Sequence, residues 1–207
     1  MPHSGGGGEI IMKYINQLEY KHIPYRTRLK LDVEESRRNT TVSSSGCGIC
    51  SICMMIDLLT DTTLGIEECI KISEGCAANH GVGTDMSILA PVIAERFGLD
   101  YKPSSDSAEA VAHLQRGGQI VAHMGIPEGQ TIGLFTKGGH YICLVATDGK
   151  DFCILDPSYT PDKFEIPERA GKVDTSRAPF LYCPIDIVDA ETKSGHIKYH
   201  LFSRKCD

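Results

Sequence analysis

Ser43-Ser44-Ser45-Gly46-Cys47-Gly48-Ile49-Cys50-Ser51-Ile52-Cys53-Met54-Met55-Ile56 leads small polar residues into a glycine-flanked cysteine and then into an apolar pattern. Ile49, Ile52, Cys53, Ile56 and Leu59 recur at spacings of three and four, which predicts a buried helix from Gly48 to Leu59. Cys47 stands at its start. The N–H groups of a helix's first turn lack intrahelical partners and form the positive end of its dipole, so a thiol there is favoured as thiolate. Cys47 is therefore a candidate nucleophile. The same residue opens the spacing Cys47-x-x-Cys50-x-x-Cys53, which also suits a metal, an iron–sulfur cluster or a redox couple.

The cluster reading meets obstacles in the surrounding residues. An iron–sulfur site wants a fourth cysteine, but the next helical position is Asp57, and Cys69 and Cys76 are remote in sequence. A thioredoxin-type couple follows a strand, and little before Ser43 reads as one. At helical spacing on an apolar segment, Cys50 and Cys53 read as core packing, while the bland reading of Cys47 itself is a buried structural thiol.

The 207 residues suffice for one substantial core or two lobes sharing a cleft, and 41% hydrophobic content fits a globular chain. A net charge of −6 without a lysine/arginine run among aromatics argues against nucleic acid as a partner. No apolar run approaches the roughly 20 residues that span a bilayer, so no membrane segment is expected. Nine cysteines, an odd count without paired spacing, fit free thiols in a reducing compartment. A cytoplasmic location follows, unless an export signal was removed. Residues 1–9, rich in glycine, read as a flexible leader or tag, and 10–207 as one domain.

Outward from the helix, Ile10 to Tyr25 reads as a strand and loop, and 26–45 as exposed loop with a brief strand at Leu29 to Val33. Further helices are expected over Thr63 to Ser73, Met86 to Phe97 (capped by Asp85 or Ser87, with Pro91 inside) and Ala108 to Arg116. Short β-branched and aromatic runs then predict strands at Gln119–Gly125, His140–Thr147, Phe152–Leu155, Phe180–Ile185 and Ile197–Phe202. Residues 157–178 read as a long loop. Helices first and strands second predict an α+β fold, with a helical lobe over about 10–117 and an antiparallel sheet lobe over about 118–207.

A cysteine nucleophile needs a base and a group that orients the base. Gly138-Gly139-His140 delivers a histidine to the start of a strand; Asp148-Gly149-Lys150-Asp151 turns the chain, and the return strand runs into Asp156-Pro157. A two-residue turn sets Asp156 opposite Tyr141, a four-residue turn opposite Cys143, and either brings it to the His140 end of the sheet. Asp156-Pro157 can equally begin a turn. The remaining histidines, among them His80, His123 and His196, show no ligand spacing, and His113 and His200 read as surface residues.

Gly46-Cys47-Gly48 opening an apolar helix, Gly83-Thr84-Asp85 before the next long one, Gly139-His140 and Asp156-Pro157 together resemble the double-glycine leader (bacteriocin-processing) peptidase-like family of papain-like cysteine peptidases. The resemblance runs from about Ile15 to Asp156 and implies a papain-like fold. It further implies Cys47 as nucleophile, His140 as general base and then acid, Asp156 as the orienting residue, and, from Asn16-Gln17, Gln17 as an oxyanion donor beside the Cys47 N–H. Many members carry proline and threonine after Gly-Cys-Gly, where this chain has Ile49 and Cys50. The expected activity is cleavage of a peptide or related amide bond through a thioester, with a peptide or amide substrate and no metal or organic cofactor. An acyltransferase on the same triad, a member that only binds peptides, and a redox or metal protein using Cys47, Cys50 and Cys53 remain alternatives.

Overall fold

The apolar spacing after Gly46 forms the helix it predicts. The computed structural model describes residues 13–26, 40–80 and 83–205. A short helical turn, α1 (Val42–Ser45), leads through Gly46 into α2 (Cys47–Leu59); α3 (Ile66–Gly75) and α4 (Met86–Arg96) follow. Next come β1 (Leu99–Ser104), α5 (Ser107–Gln115), β2 (Gln119–Met124), β3 (His140–Thr147), β4 (Asp151–Leu155), β5 (Asp174–Arg177), β6 (Phe180–Pro184), α6 (Ile185–Ala190) and β7 (Tyr199–Arg204). Asp85 and Asp106 cap α4 and α5 by accepting from the N–H groups of Ser87 and Ala108.

All seven strands form one antiparallel sheet in the order β1-β7-β2-β3-β4-β6-β5. Alternation along each strand divides its side chains between two cores. Val121, Tyr141, Cys143, Leu155 and Phe202 face α2, α3 and α4; Ile120, Ala122, Met124, Ile142, Leu144, Phe152, Ile154 and Leu201 face α5 and α6. Ten residues of α2 are buried, so the helix is covered nearly all round.

Several sequence expectations need correction. The division near Gly117 does not separate helices from strands: β1 precedes it and pairs with β7, while α6 follows it. The helices instead lie on both faces of a central sheet. Residues 13–17 form no strand; Gln17–Glu19 make a 3-10 turn with Asn16 as its cap. Thr41 to Ser45, read as loop, is a helical turn because Thr41 and Ser44 satisfy each other's backbone and side-chain groups. The 157–178 loop contains β5. His200 is buried, its Nδ1 2.9 Å from the Tyr101 hydroxyl, and His113 is half-buried with Nε2 2.8 Å from the Phe202 carbonyl oxygen. The leader over 1–9 and the strand at Leu29 to Val33 lie outside the described residues.

The β3–β4 register departs from both expectations and explains how the site is aligned. Near the turn Thr147 pairs with Phe152 and Ala146 with Cys153; past a bulge at Val145, Leu144 pairs with Ile154 and Cys143 with Leu155. Extending that ladder by one residue sets Asp156 opposite Ile142. A one-residue slip moves a side chain to the other face of a sheet, so either expected register would have turned Asp156 away from the His140 parity. The extra residue at the bulge puts Asp156 on the same face as His140.

Candidate active site

Two glycines bring α2 close to its neighbours. A Cβ on Gly46 would stand 2.6 Å from the Val42 carbonyl oxygen, and one on Gly48 would stand 2.8 Å from the Thr84 Cβ. Thr84 is itself held by the Tyr25 hydroxyl at 2.8 Å. Gly83-Thr84-Asp85 therefore serves as a seat for the start of α2 and, through Asp85, as the cap of α4.

Cys47, half-buried, occupies the first position of α2. Burial alone would raise its thiol pKa. The hydrogen bond and charge of His140, with the backbone at Tyr141 and Gly48, outweigh that and bring it below the ordinary thiol value. His140 begins β3 and is held by the sheet, paired with Met124. Burial pulls its pKa down, but Asp156, through charge and a hydrogen bond, and then Cys47 bring it above the usual histidine value. The structure thus gathers three of the four sequence candidates, Cys47, His140 and Asp156, with the imidazole between thiol and carboxylate.

Asp156 is fully buried. Its Oδ1 lies 2.7 Å from His140 Nε2 and accepts from the Ser158 N–H at 2.8 Å, so the aspartate both starts a turn and holds the ring. Its Oδ2 accepts from Lys163 Nζ at 2.5 Å, and Lys163 also donates to the Ser158 hydroxyl at 2.7 Å. Burial would push the carboxyl upward, but the Lys163 ammonium first and His140 second hold it well below the usual carboxylate range. The Ser158 hydroxyl lies 3.1 Å from His140 Nε2.

Lys163, with a side chain only 8% exposed, was not singled out by sequence reasoning. A lysine in a polar loop gives no periodic signal. The one available clue was the need of a buried carboxylate for a second cation or donor, because a single imidazole leaves one oxygen unpaired.

Gln17 is near the triad in connectivity but is engaged differently from its neighbours. Its N–H donates to the Pro157 carbonyl at 2.7 Å, and its side-chain Nε2 donates to the Ser43 carbonyl at 3.0 Å. The amide Oε1 is buried without a partner among the described residues. Gln17 thus ties the Asp156-Pro157 segment to the approach to Cys47. Tyr14 reinforces the tie by donating its hydroxyl to the Asp156 carbonyl at 2.6 Å, and Asn16 by donating to the Tyr159 carbonyl at 2.8 Å.

The cleft beside Cys47 has a volume of about 270 Å³ and is walled by Ser45, Thr84, Asp85, His123, His140 and Lys193, among others. Cys50 and Cys53 point elsewhere. Both belong to the apolar cluster beneath α2, at 0% and 2% exposure, and burial pushes the Cys50 thiol well up. Among the described residues no group of three His, Cys, Asp or Glu side chains is arranged to hold a metal ion. Nor is any described helix long and apolar enough to cross a membrane.

No family profile matches the sequence, and no curated protein compared with it is similar enough to count as a relative. Similarity emerges in three dimensions. The chain resembles the crystal structure of a Bacillus anthracis protein designated a C39-like peptidase, with a TM-score of 0.57 at 11% sequence identity, over 96% of this chain and 98% of that one. The two share a fold of mixed helix and antiparallel sheet.

Proposed function

We propose that this protein is a cysteine peptidase or amidohydrolase in which Cys47 is the nucleophile, His140 the general base and acid, and Asp156 the residue that orients His140. The observation that carries the reading is the placement of one imidazole between a helix-start thiol and a buried carboxylate at an open cleft. The Bacillus anthracis structure, named as a C39-like peptidase, supports a peptide as substrate.

In the first half-reaction the Cys47 sulfur forms a bond to the carbonyl carbon, and the oxygen takes up the negative charge. The Cys47 N–H donates to that oxyanion, and the second hydrogen of the Gln17 amide is the candidate for another donor. The His140 imidazolium gives its proton to the leaving nitrogen as the carbon–nitrogen bond breaks. This leaves a thioester and a neutral ring. In the second half-reaction His140 takes a proton from water, whose oxygen attacks the thioester. The sulfur leaves, and the acid product departs with thiolate and imidazolium restored. Asp156 keeps one ring nitrogen occupied so that the other faces the thiol. Lys163 keeps the carboxylate ionised and in place.

Acid-quenched incubation with a randomised peptide library, followed by mass mapping, tests the assignment. An acyl group is expected on the Cys47-containing fragment, absent in Cys47→Ala. Adducts spread over other cysteines, or none on Cys47 despite peptide turnover, would overturn it.

A further inference from the structure

The wall of the cleft facing Cys47 is built from chain that the hydrolytic steps do not use. Beyond β2 the chain returns at Glu191 to Lys198 and closes on His123, Met124 and Gly125. Lys193 N–H donates to the His123 carbonyl at 2.8 Å, and His123 N–H donates to the Lys198 carbonyl at 2.9 Å. An isolated bridge between Met124 and Thr192 continues the contact, as does the bond from Gly125 N–H to the Glu191 carbonyl at 2.8 Å. Residues 193–198 are thus a loop clamped at both ends on His123. The clamp is anchored below by Lys198, whose ammonium donates to both carboxylate oxygens of Asp189 at 3.0 and 3.1 Å.

This closure carries side chains into the cleft. The rings of His196 and His123 meet edge to face at 5.3 Å, and His123 stacks on Tyr141 with ring centres 4.4 Å apart. A Cβ at Gly125 would stand 2.9 Å from the Lys193 Cα, so the close approach of the loop depends on glycine there. A Cβ at Gly139 would stand 3.4 Å from Lys193 Nζ and 3.8 Å from His123 Nε2. The ammonium and the ring nitrogen therefore converge over the residue that precedes His140. Neither makes a side-chain hydrogen bond or ion pair among the described residues. Burial, then the charges of Lys193 and His196, hold His123 neutral, with a pKa pulled down to about 3, so its ring can donate one hydrogen without adding charge. The acid of the cleft, Asp85, has its Oδ1 occupied by the Ser87 N–H and hydroxyl.

The leaving nitrogen of a cysteine hydrolase rests against the histidine that protonates it. Side chains flanking His140 through Gly139 therefore meet the leaving-group part of the substrate. We propose that Lys193 and His123, with His196 at the rim, form a subsite for a carboxylate on the leaving-group side of the scissile bond. The inference rests on the hydrolase reading above. It narrows the substrate to peptides with a carboxylate within a residue or two after the cut, supplied by an aspartate or glutamate side chain or by the free C-terminus. Paired with an ammonium and a ring N–H, that carboxylate gains a charge-assisted bond the cleft otherwise leaves unmade.

The test has a catalytic and a binding arm. Cleavage products of an N-acetylated random peptide library, with free or amidated C-termini, are sequenced for wild type and Lys193→Met. Wild type is expected to favour a carboxylate after the cut by about 10-fold, and Lys193→Met to lose that preference while still cleaving neutral sites. Persistence of the preference in the amidated library identifies an acidic side chain. Restriction of cuts to the last two bonds of free-acid peptides identifies the C-terminus. In the binding arm, glutarate is titrated against the His123 ring resonance, with glutaramide as the neutral control. A shift with glutarate, absent with glutaramide and in Lys193→Met, supports the subsite even if no peptide is cut, in which case the hydrolase reading fails alone. Absence of a glutarate shift, or cleavage indifferent to carboxylates in both proteins, overturns the subsite and leaves the hydrolase reading standing.

Discussion

Cys47 and Cys50 stand one helical turn apart on α2, yet their surroundings drive the two thiols in opposite directions. Cys47 has the open first turn of the helix and the His140 ring. Cys50 has only the apolar cluster, which disfavours any charge. The chemistry of a cysteine-rich stretch is thus decided by where the helix begins and what the sheet brings to that point, more than by cysteine spacing.

Alkylation breaks or sharpens this contrast most directly. Iodoacetamide at pH 7 is expected to modify Cys47 at least about 10³-fold faster than Cys50, Cys53, Cys69 or Cys143, which react only when the structure opens. His140→Ala should slow Cys47 by about 10-fold or more and leave the buried thiols unchanged. Peptide mapping over time reads both. Uniform slow labelling would erase the distinction between the two thiols.

The next effect tests what holds His140. Asp156→Ala strands the buried Lys163 ammonium, and removing one partner of a buried pair costs about 3–5 kcal/mol. Replacing both, in Asp156→Leu with Lys163→Met, should restore most of that stability in urea unfolding while Cys47 labelling stays slow. If the double variant is no more stable than the single one, the ion pair is not the source of the loss.

Much of this arrangement was legible in the sequence, and the misses have physical causes. The α2 helix is legible because its apolar residues recur at helical spacing, and His140 and Asp156 because glycines and a proline punctuate the strand ends. Strand β1 was hidden because Asp100, Lys102 and Pro103 give an edge strand no alternating apolar signal. The bulge at Val145 was hidden because register depends on pairing across the hairpin, which neither strand encodes alone. Burial of His200 needed the Tyr101 hydroxyl from β1, a contact between residues about a hundred positions apart. Lys163 was invisible for a different reason: it lies close to Asp156 in sequence, but a turn, not a periodic spacing, brings the two together.

The histidines extend the contrast between charged and neutral sites to pH. His140 has a raised folded pKa, so its contribution to stability is complete below about 6.5 and is lost as pH rises through its higher folded value. His200 is the reverse case. Burial holds its folded pKa down at about 4, so the unfolded chain takes up a proton first and stability falls between about pH 6.5 and 4. His123 adds a loss of the same sign, continuing toward about 3. Asp156, depressed in the fold, contributes above about pH 3.9 and is lost as pH falls through its lower folded value. Urea midpoints from pH 6.5 to 4 should therefore decline for wild type and decline less steeply for His200→Gln. An unchanged slope would mean that His200 charges within the fold.

The smallest effect returns to α2. Cys50→Ala removes one buried sulfur from a packed cluster and should cost about 1 kcal/mol, by transfer and a small cavity, with Cys47 labelling unchanged within about 2-fold. Cys50→Ser is the sharper variant. It is nearly isosteric but places a hydroxyl where the surroundings are apolar, and an unpartnered buried hydroxyl costs about 1–3 kcal/mol. If Cys50 belongs to the core alone, serine destabilises more than alanine and neither alters Cys47. If Cys50 shared chemistry with Cys47, both variants would change the Cys47 alkylation rate, and the division of labour along α2 would be wrong.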